Sequence, residues 1–260
     1  TQEHSSAASD VYKRQTYPSA ESVVTRLLMK NILTIETSGT TCSVALSRSG
    51  TILEKYSDEL RVHGRILLPF ISELLDEMSL TVSDMDIIGI SIGPGSFTGL
   101  RIGFAITQGL AYAQNISVIP LSSLCAHVHS FKTTLSKDNL SSIPGKSIVV
   151  IVDAKMDHFY LGQYIMKENY SIDSMGADII IKKDRMKSFL SKIDPDLILT
   201  DDKSRISGLD FVQTEIIEIF PRAKDLIEIT ENLFNTGFSV SPMNIELAYL
   251  READAWKKSN

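Results

Sequence analysis

An aliphatic strand that ends in an acid and opens an antiparallel meander occurs twice in this chain. No other sequence feature constrains the fold as tightly. The first copy reads "NILTIE" from Asn31, a polar turn "TSGTT", "CSVALS", a Ser-Gly turn and "TILEKYS". After the polar linker "KTTLSKDNLSSIPGK" the opening returns as "SIVVIVD", the turn "AKMD", "HFYLGQYIM", the turn "KEN" and an extended run ending in "ADIIIK". β-Branched and aliphatic runs bounded by turn formers predict strands. Glu36 and Asp153 close the first strand of each copy, which predicts a duplicated unit.

Between the meanders the spacing changes from two to about 3.6. In "HGRILLPFISELLDEMSL" the residues Ile66, Phe70 or Ile71, Leu74, Leu75 and Met78 recur at helical spacing, with Pro69 early, where a helix tolerates it best. There follow the strand "DIIGISI", a glycine bend, a helix from about Gly99 to Gln114, the strand "SVIP" and a helix from near Ser122. The order is βββαβαβα. In the second half a helix is expected around Asp184 to Lys192, a strand at "DLILT", and helices near Ala223 to Phe234 and Asn244 to Lys257. The expected units are 29–131 and 132–260, with the last helix free to pack back on the first. Residues 1–28 are polar and show neither period, while Met29 stands directly before the first strand. They are expected to be a non-native or disordered extension, outside the fold.

At 260 residues and 43% hydrophobic, the chain can bury a substantial core. A formal net charge of −6 argues against a broad basic surface that would hold a nucleic acid unaided. Cys42 and Cys125 form no CxxC pair, so neither a disulfide scaffold nor a zinc ribbon is indicated. No apolar run approaches bilayer length, and a soluble, cytoplasmic protein is expected.

Two stretches have the residue types for phosphate chemistry. In "IETSGTTCSVALS" the hydroxyls of Thr37, Ser38, Thr40 and Thr41 and the turn N–H groups suit phosphate oxygens, while Glu36 suits a hydrated metal. The same residues equally suit a plain hairpin. The bend "GPGSFTG" opens a helix whose N-terminus attracts anions, yet it has neither the Gly-Lys-Ser/Thr of a Walker loop nor GxGxxG spacing. Its glycines equally serve a sharp turn and close packing. His127 and His129 are two residues apart on an expected helix and so diverge, His63 has no histidine at helical spacing, and Gly-x-Ser-x-Gly is missed at Ser96.

The helix after the bend carries Ala105, Gly109 and Ala113 four residues apart, beside Ile102, Ile106 and Leu110. Small residues at that spacing let another backbone approach, either the chain's own sheet or a partner's helix. The preceding helix is broadly apolar, with Leu67, Leu68, Phe70, Ile71, Leu74 and Leu75. The expected partner face comprises Leu67, Phe70, Ile71, Leu74, Ile102, Ala105, Ile106, Gly109 and Ala113.

Taken together, "ILTIETS", "VHGRILLPFI", "SIGPGSFTGLRIG", "DAKMDHFY" and "YLREADAWKK" resemble the TsaB family, also called YeaZ, along nearly the whole chain from Met29. The resemblance implies an actin-like (ASKHA) duplicated α/β fold and a role in forming N6-threonylcarbamoyladenosine (t6A) at position 37 of tRNAs that read ANN codons. It implies a non-catalytic subunit that pairs with and activates the catalytic subunit TsaD, together with the ATPase TsaE. No catalytic or metal residue and no cofactor of its own is then expected. ATP and a divalent metal fall to the partner subunits, tRNA is met only through the complex, and the free chain can form a homodimer. The HxxxH motif of TsaD is missing from this sequence. Two positions depart from the family pattern: Glu36 where aspartate is usual, and Gly64 where Ser or Thr is common. Alternative readings are an ATP-dependent small-molecule kinase of the same superfamily, or a glycoprotease-like peptidase.

Overall fold

A computed structural model describes residues 30–206 and 214–250. The extension 1–28, Trp256 and the C-terminal part of the last expected helix lie outside the described residues. Strands β1 (Ile32–Glu36), β2 (Cys42–Arg48) and β3 (Thr51–Ser57) form the first antiparallel meander, with Glu36 opposite Ser43. Helix α1 (His63–Glu77) leads to β4 (Ile87–Gly93), which lies parallel to β1, and α2 (Phe97–Gln114) leads to β5 (Ser117–Ser122), parallel to β4. The sheet order is β3-β2-β1-β4-β5. β1 and β4 are buried on both faces, which is why they read as unbroken aliphatic runs, whereas the edge strand β3 is partly exposed.

The second half repeats this connectivity. β6 (Ser147–Asp153) and β7 (His158–Met166) are antiparallel, and the third strand is divided into β8 (Ile172–Ser174) and β9 (Ile179–Lys182), each paired with a different part of β7. β10 (Leu197–Thr200) and β11 (Glu215–Glu218) add in parallel, giving β11-β10-β6-β7-β8. This is the duplicated α/β architecture expected of the actin-like fold. The division between β8 and β9 falls where Asp178 turns inward to accept hydrogen bonds from Tyr164 (3.1 Å) and Ser122 (2.6 Å). β11 and the short helices α4 (Lys137–Leu140) and α6 (Lys203–Ile206) were not expected from the sequence; four-residue elements are too short to show a period.

Helices α3 (Ser123–Thr134) and α7 (Ile227–Asn235) lie between the sheets and share one core with them, in which Ile32, Ile87 and Ile119 meet Ile148, Val150 and Tyr164. Helices α1 and α2 cover the outer face of the first sheet, and α5 (Lys183–Ile193) covers that of the second. At Gly89 in β4 a Cβ would stand 2.2 Å from Thr230 Oγ1, so only glycine lets α7 lie this close. The chain leading into α7 is bound to the first sheet: Thr34 donates to the Ala223 carbonyl (2.7 Å), Ala223 N–H donates to Ser43 (2.9 Å), and Arg222 grips Glu54 with two nitrogens (2.6 and 3.3 Å).

Two expected boundaries need correction. α2 starts at Phe97 rather than Gly99, because Ser96 is its N-cap and accepts from Gly99 N–H. No helix starts at Asn244. Pro242–Asn244 is a 3-10 turn, and residues 245–250 carry no helix because Ala248 N–H donates to Ile92 O at the end of β4 (2.9 Å). Among the described residues no helix is long and apolar enough to cross a membrane.

Candidate functional site

The turn after β1, which carries the residue types expected of a phosphate loop, is packed by the chain's own groups. Glu36 is 1% exposed; its carboxylate accepts from Ser38 N–H (2.6 Å) and from the Ser91 hydroxyl of β4. The Ser38 carbonyl accepts from Ser96 N–H at 2.6 Å, tying the turn to the glycine bend. Three glycines at four-residue spacing then press on it. A Cβ at Gly95 would stand 2.2 Å from Ser38 O, one at Gly99 2.2 Å from Thr37 O, and one at Gly103 2.3 Å from Thr37 Oγ1. The bend therefore serves close packing of α2 on the turn. Of the phosphate-loop candidates, Glu36, Ser38 and Thr41 are buried, and Thr40 alone is exposed. Burial, with Glu36 beside it, pushes the Cys42 thiol up to about 12, so it carries no thiolate at neutral pH.

His63 and His127 each pair with a backbone carbonyl through one ring nitrogen, while His127 Nε2 is buried without a hydrogen-bond partner among the described residues. His63 Nε2 pairs with the Thr41 carbonyl (3.0 Å), and His127 Nδ1 pairs with the Ser123 carbonyl (2.7 Å). Among the described residues no group of three or more His, Cys, Asp or Glu side chains is placed to hold a metal ion.

At the matching end of the second sheet, Asp153 meets Lys155 (N and Nζ, both 2.8 Å) and Arg205 (Nε, 2.9 Å; Nη2, 2.8 Å). Burial alone would raise its pKa, but those two cations hold the carboxyl below its ordinary value. On the neighbouring strand end, Asp201 is pushed up to about 6, by burial first and also by the adjacent Asp153 and Asp202 carboxylates. The chain's own cations thus occupy this corner.

The outer face of α1 and α2 divides the expected partner residues. Ala105, Gly109 and Ala113 are all exposed, and a Cβ at Gly109 would meet nothing within 4 Å. Phe70, Ile102 and Ile106 are half-buried. Leu67, Ile71 and Leu74 are corrected: they are buried in the protein's own core with Val44 and Leu46 of β2. The most regular apolar stripe of an amphipathic helix faces its own sheet. Leu68 (52% exposed) and Tyr112 (64%) lie on the outer face instead. Both are apolar residues out of phase with the buried stripe, and that phase is the signal by which the sequence marks them.

A family model described as TsaD: tRNA N6-adenosine threonylcarbamoyltransferase matches residues 57–211. The chain is similar to the tRNA threonylcarbamoyladenosine biosynthesis protein TsaB of Escherichia coli (strain K12), 27% identical over 87% of this chain and 97% of that protein. It is likewise similar to the protein of that name from Bacillus subtilis (strain 168), 27% identical over 84% of this chain and 86% of the relative. A solved structure of YeaZ from Pseudomonas aeruginosa matches with a TM-score of 0.73 at 26% identity, over 85% of this chain and all of that one.

Proposed function

The chain belongs to the TsaD family, whose model spans more than half of it, and within that family to the TsaB (YeaZ) group; from that premise we propose that it is a non-catalytic subunit in t6A formation on tRNA. It pairs with and activates a TsaD-like catalytic subunit, with a TsaE-like ATPase supplying ATP turnover and tRNA met through the complex. Its exposed face of α1 and α2 is the docking surface, and in the absence of a partner the same face pairs two copies. The protein works in the cytoplasm.

The observation that carries the non-catalytic part of this reading is the filled turn at Glu36–Ser38. A nucleotide-handling enzyme of this fold needs an open phosphate cradle. Here Gly95, Gly99 and Gly103 bring the bend and α2 against the turn's carbonyls, and Glu36 is committed to Ser38 and Ser91. An ATP-dependent kinase reading fits this geometry poorly, and a peptidase reading finds no activated nucleophile at the buried Cys42.

ATP turnover measured on the isolated chain, and again with the catalytic subunit and the ATPase, tests the proposal. Turnover is expected only in the mixture; sustained turnover by the chain alone would favour the kinase reading.

A further inference from the structure

The exposed ridge of α2 does not consist of small residues alone. Continuing the four-residue spacing of Ala113, Gly109 and Ala105 toward the helix start reaches Arg101 and Phe97, both exposed. The Arg101 guanidinium carbon lies 3.8 Å from the centroid of the Phe97 ring and 5.9 Å from that of Tyr249, and Arg101 Nε donates to the Tyr249 hydroxyl at 3.1 Å. The two rings stand 6.2 Å apart, inclined by 49°. Phe97 is 47% exposed and Tyr249 54%. Arg65, Arg205 and Arg222 each hold a carboxylate, whereas Arg101 forms no ion pair among the described residues.

We propose that Phe97, Arg101 and Tyr249 form a docking anchor for a protein partner that presents a carboxylate beside an apolar side chain. The proposal rests on the subunit reading above and specifies the chemistry of the partner's contact. With Nε committed to Tyr249, the two terminal nitrogens of Arg101 remain as a planar fork, the geometry that takes a carboxylate through two hydrogen bonds. Stacking and the Tyr249 bond already hold the guanidinium in place, so little rotamer freedom remains to be lost on binding. The exposed faces of Phe97 and Tyr249 provide the apolar border that excludes water from such a pair, and aromatic and arginine residues are the types that dominate binding energy.

An RNA phosphate would also accept from the fork. The surroundings favour protein: Arg101 is the sole cation in α2, and the ridge beyond it is Ala105, Gly109 and Ala113, which admits a helix and offers nothing to a phosphate backbone. The net charge of −6 points the same way.

The test is the affinity of the full chain for the TsaD-like catalytic subunit by calorimetry at low and moderate salt, for wild type, Arg101→Met, Arg101→Lys and Tyr249→Phe. Arg101→Met should weaken binding by about tenfold or more, and Arg101→Lys should fall between it and wild type. The wild-type affinity should also fall more steeply with salt than that of Arg101→Met. Tyr249→Phe keeps the ring and removes only the hydroxyl, so it should weaken binding by a few-fold; it carries the test if thermal unfolding shows Arg101→Met to be misfolded. A folded Arg101→Met with wild-type affinity would overturn the proposal, as would loss of tRNA binding by that variant with its protein affinity unchanged. Failure of the wild-type chain to bind the catalytic subunit at all would instead overturn the subunit reading.

Discussion

Gly99 in the first turn of α2 lies so close to Thr37 that a methyl group there would stand 2.2 Å from the Thr37 carbonyl oxygen. Ten residues further along the same helix, Gly109 lies on the exposed face and a Cβ there would meet nothing within 4 Å. The contrast separates a glycine used for folding from one available to a partner.

Gly99→Ala should therefore destabilise the free protein by about 2–3 kcal/mol or more, since backbone must shift to admit the methyl group. Gly109→Ala should raise stability by somewhat under about 1 kcal/mol through helix propensity alone. Chemical denaturation of the two variants measures both. Similar stabilities for the pair would mean that α2 does not rest on the turn as described.

Gly109→Leu should leave the free chain folded and weaken its complex with the catalytic subunit by about ten- to a hundredfold, the range of 1–3 kcal/mol usual for overpacking. Calorimetry on a variant with wild-type thermal unfolding reads this directly. Unchanged affinity would move the docking face away from this part of α2.

Glu36 is a structural acceptor in this account. Glu36→Ala leaves the Ser38 N–H and the Ser91 hydroxyl without their partner in a buried site, costing about 2–4 kcal/mol. Glu36→Gln keeps an acceptor for Ser38, and its amide can donate to the Ser91 oxygen, so stability should stay within about 1 kcal/mol of wild type. t6A formation in the reconstituted system should be unchanged in the Gln variant. A full loss of modification with assembly intact would show that the carboxylate itself takes part in the chemistry.

The buried His129 and the partly buried Asp201 give opposite pH dependences. Burial holds His129 down to about 4, below its ordinary 6.5. Between those values the unfolded chain binds the extra proton, so this contribution to stability is complete above 6.5 and is lost as pH falls toward 4. Asp201 is raised to about 6 from 3.8, so there the native state binds the extra proton, and stability falls as pH rises from 3.8 through 6. Asp201→Asn should thus stabilise the protein by about 1–2 kcal/mol at pH 7.5 and little near pH 4. Denaturant titrations at the two pH values decide it, and an equal effect at both would remove burial of the charge as the cause.

Much of this was legible in the sequence. The aliphatic runs ending in Glu36 and Asp153 announced the central strands, because residues buried on both faces leave no polar alternation, and the repeated meander gave the duplicated order. The buried side of α1 is legible as a stripe, but periodicity alone does not say which surface a stripe meets, so it does not distinguish a partner from the chain's own sheet for Leu67, Ile71 and Leu74. Spacing could not show that Gly95, Gly99 and Gly103 share one contact with Thr37–Ser38, since that depends on β1 and β4 being neighbours. Tyr249 meets Arg101 across 148 residues of sequence, a pairing no local pattern records. The expected helix from Asn244 failed for a similar reason: the Ala248 amide is taken by Ile92 of β4.

The central claim is that the chain contributes to t6A formation as a subunit without chemistry of its own. Mass spectrometry of tRNA after incubation with the catalytic subunit, the ATPase, ATP and threonylcarbamoyl-adenylate, with and without this chain, measures it most directly. The expected result is t6A when the chain is present, little or none when it is omitted, and none when it is the only protein supplied. Equal modification with and without the chain, or modification by the chain alone, would contradict it.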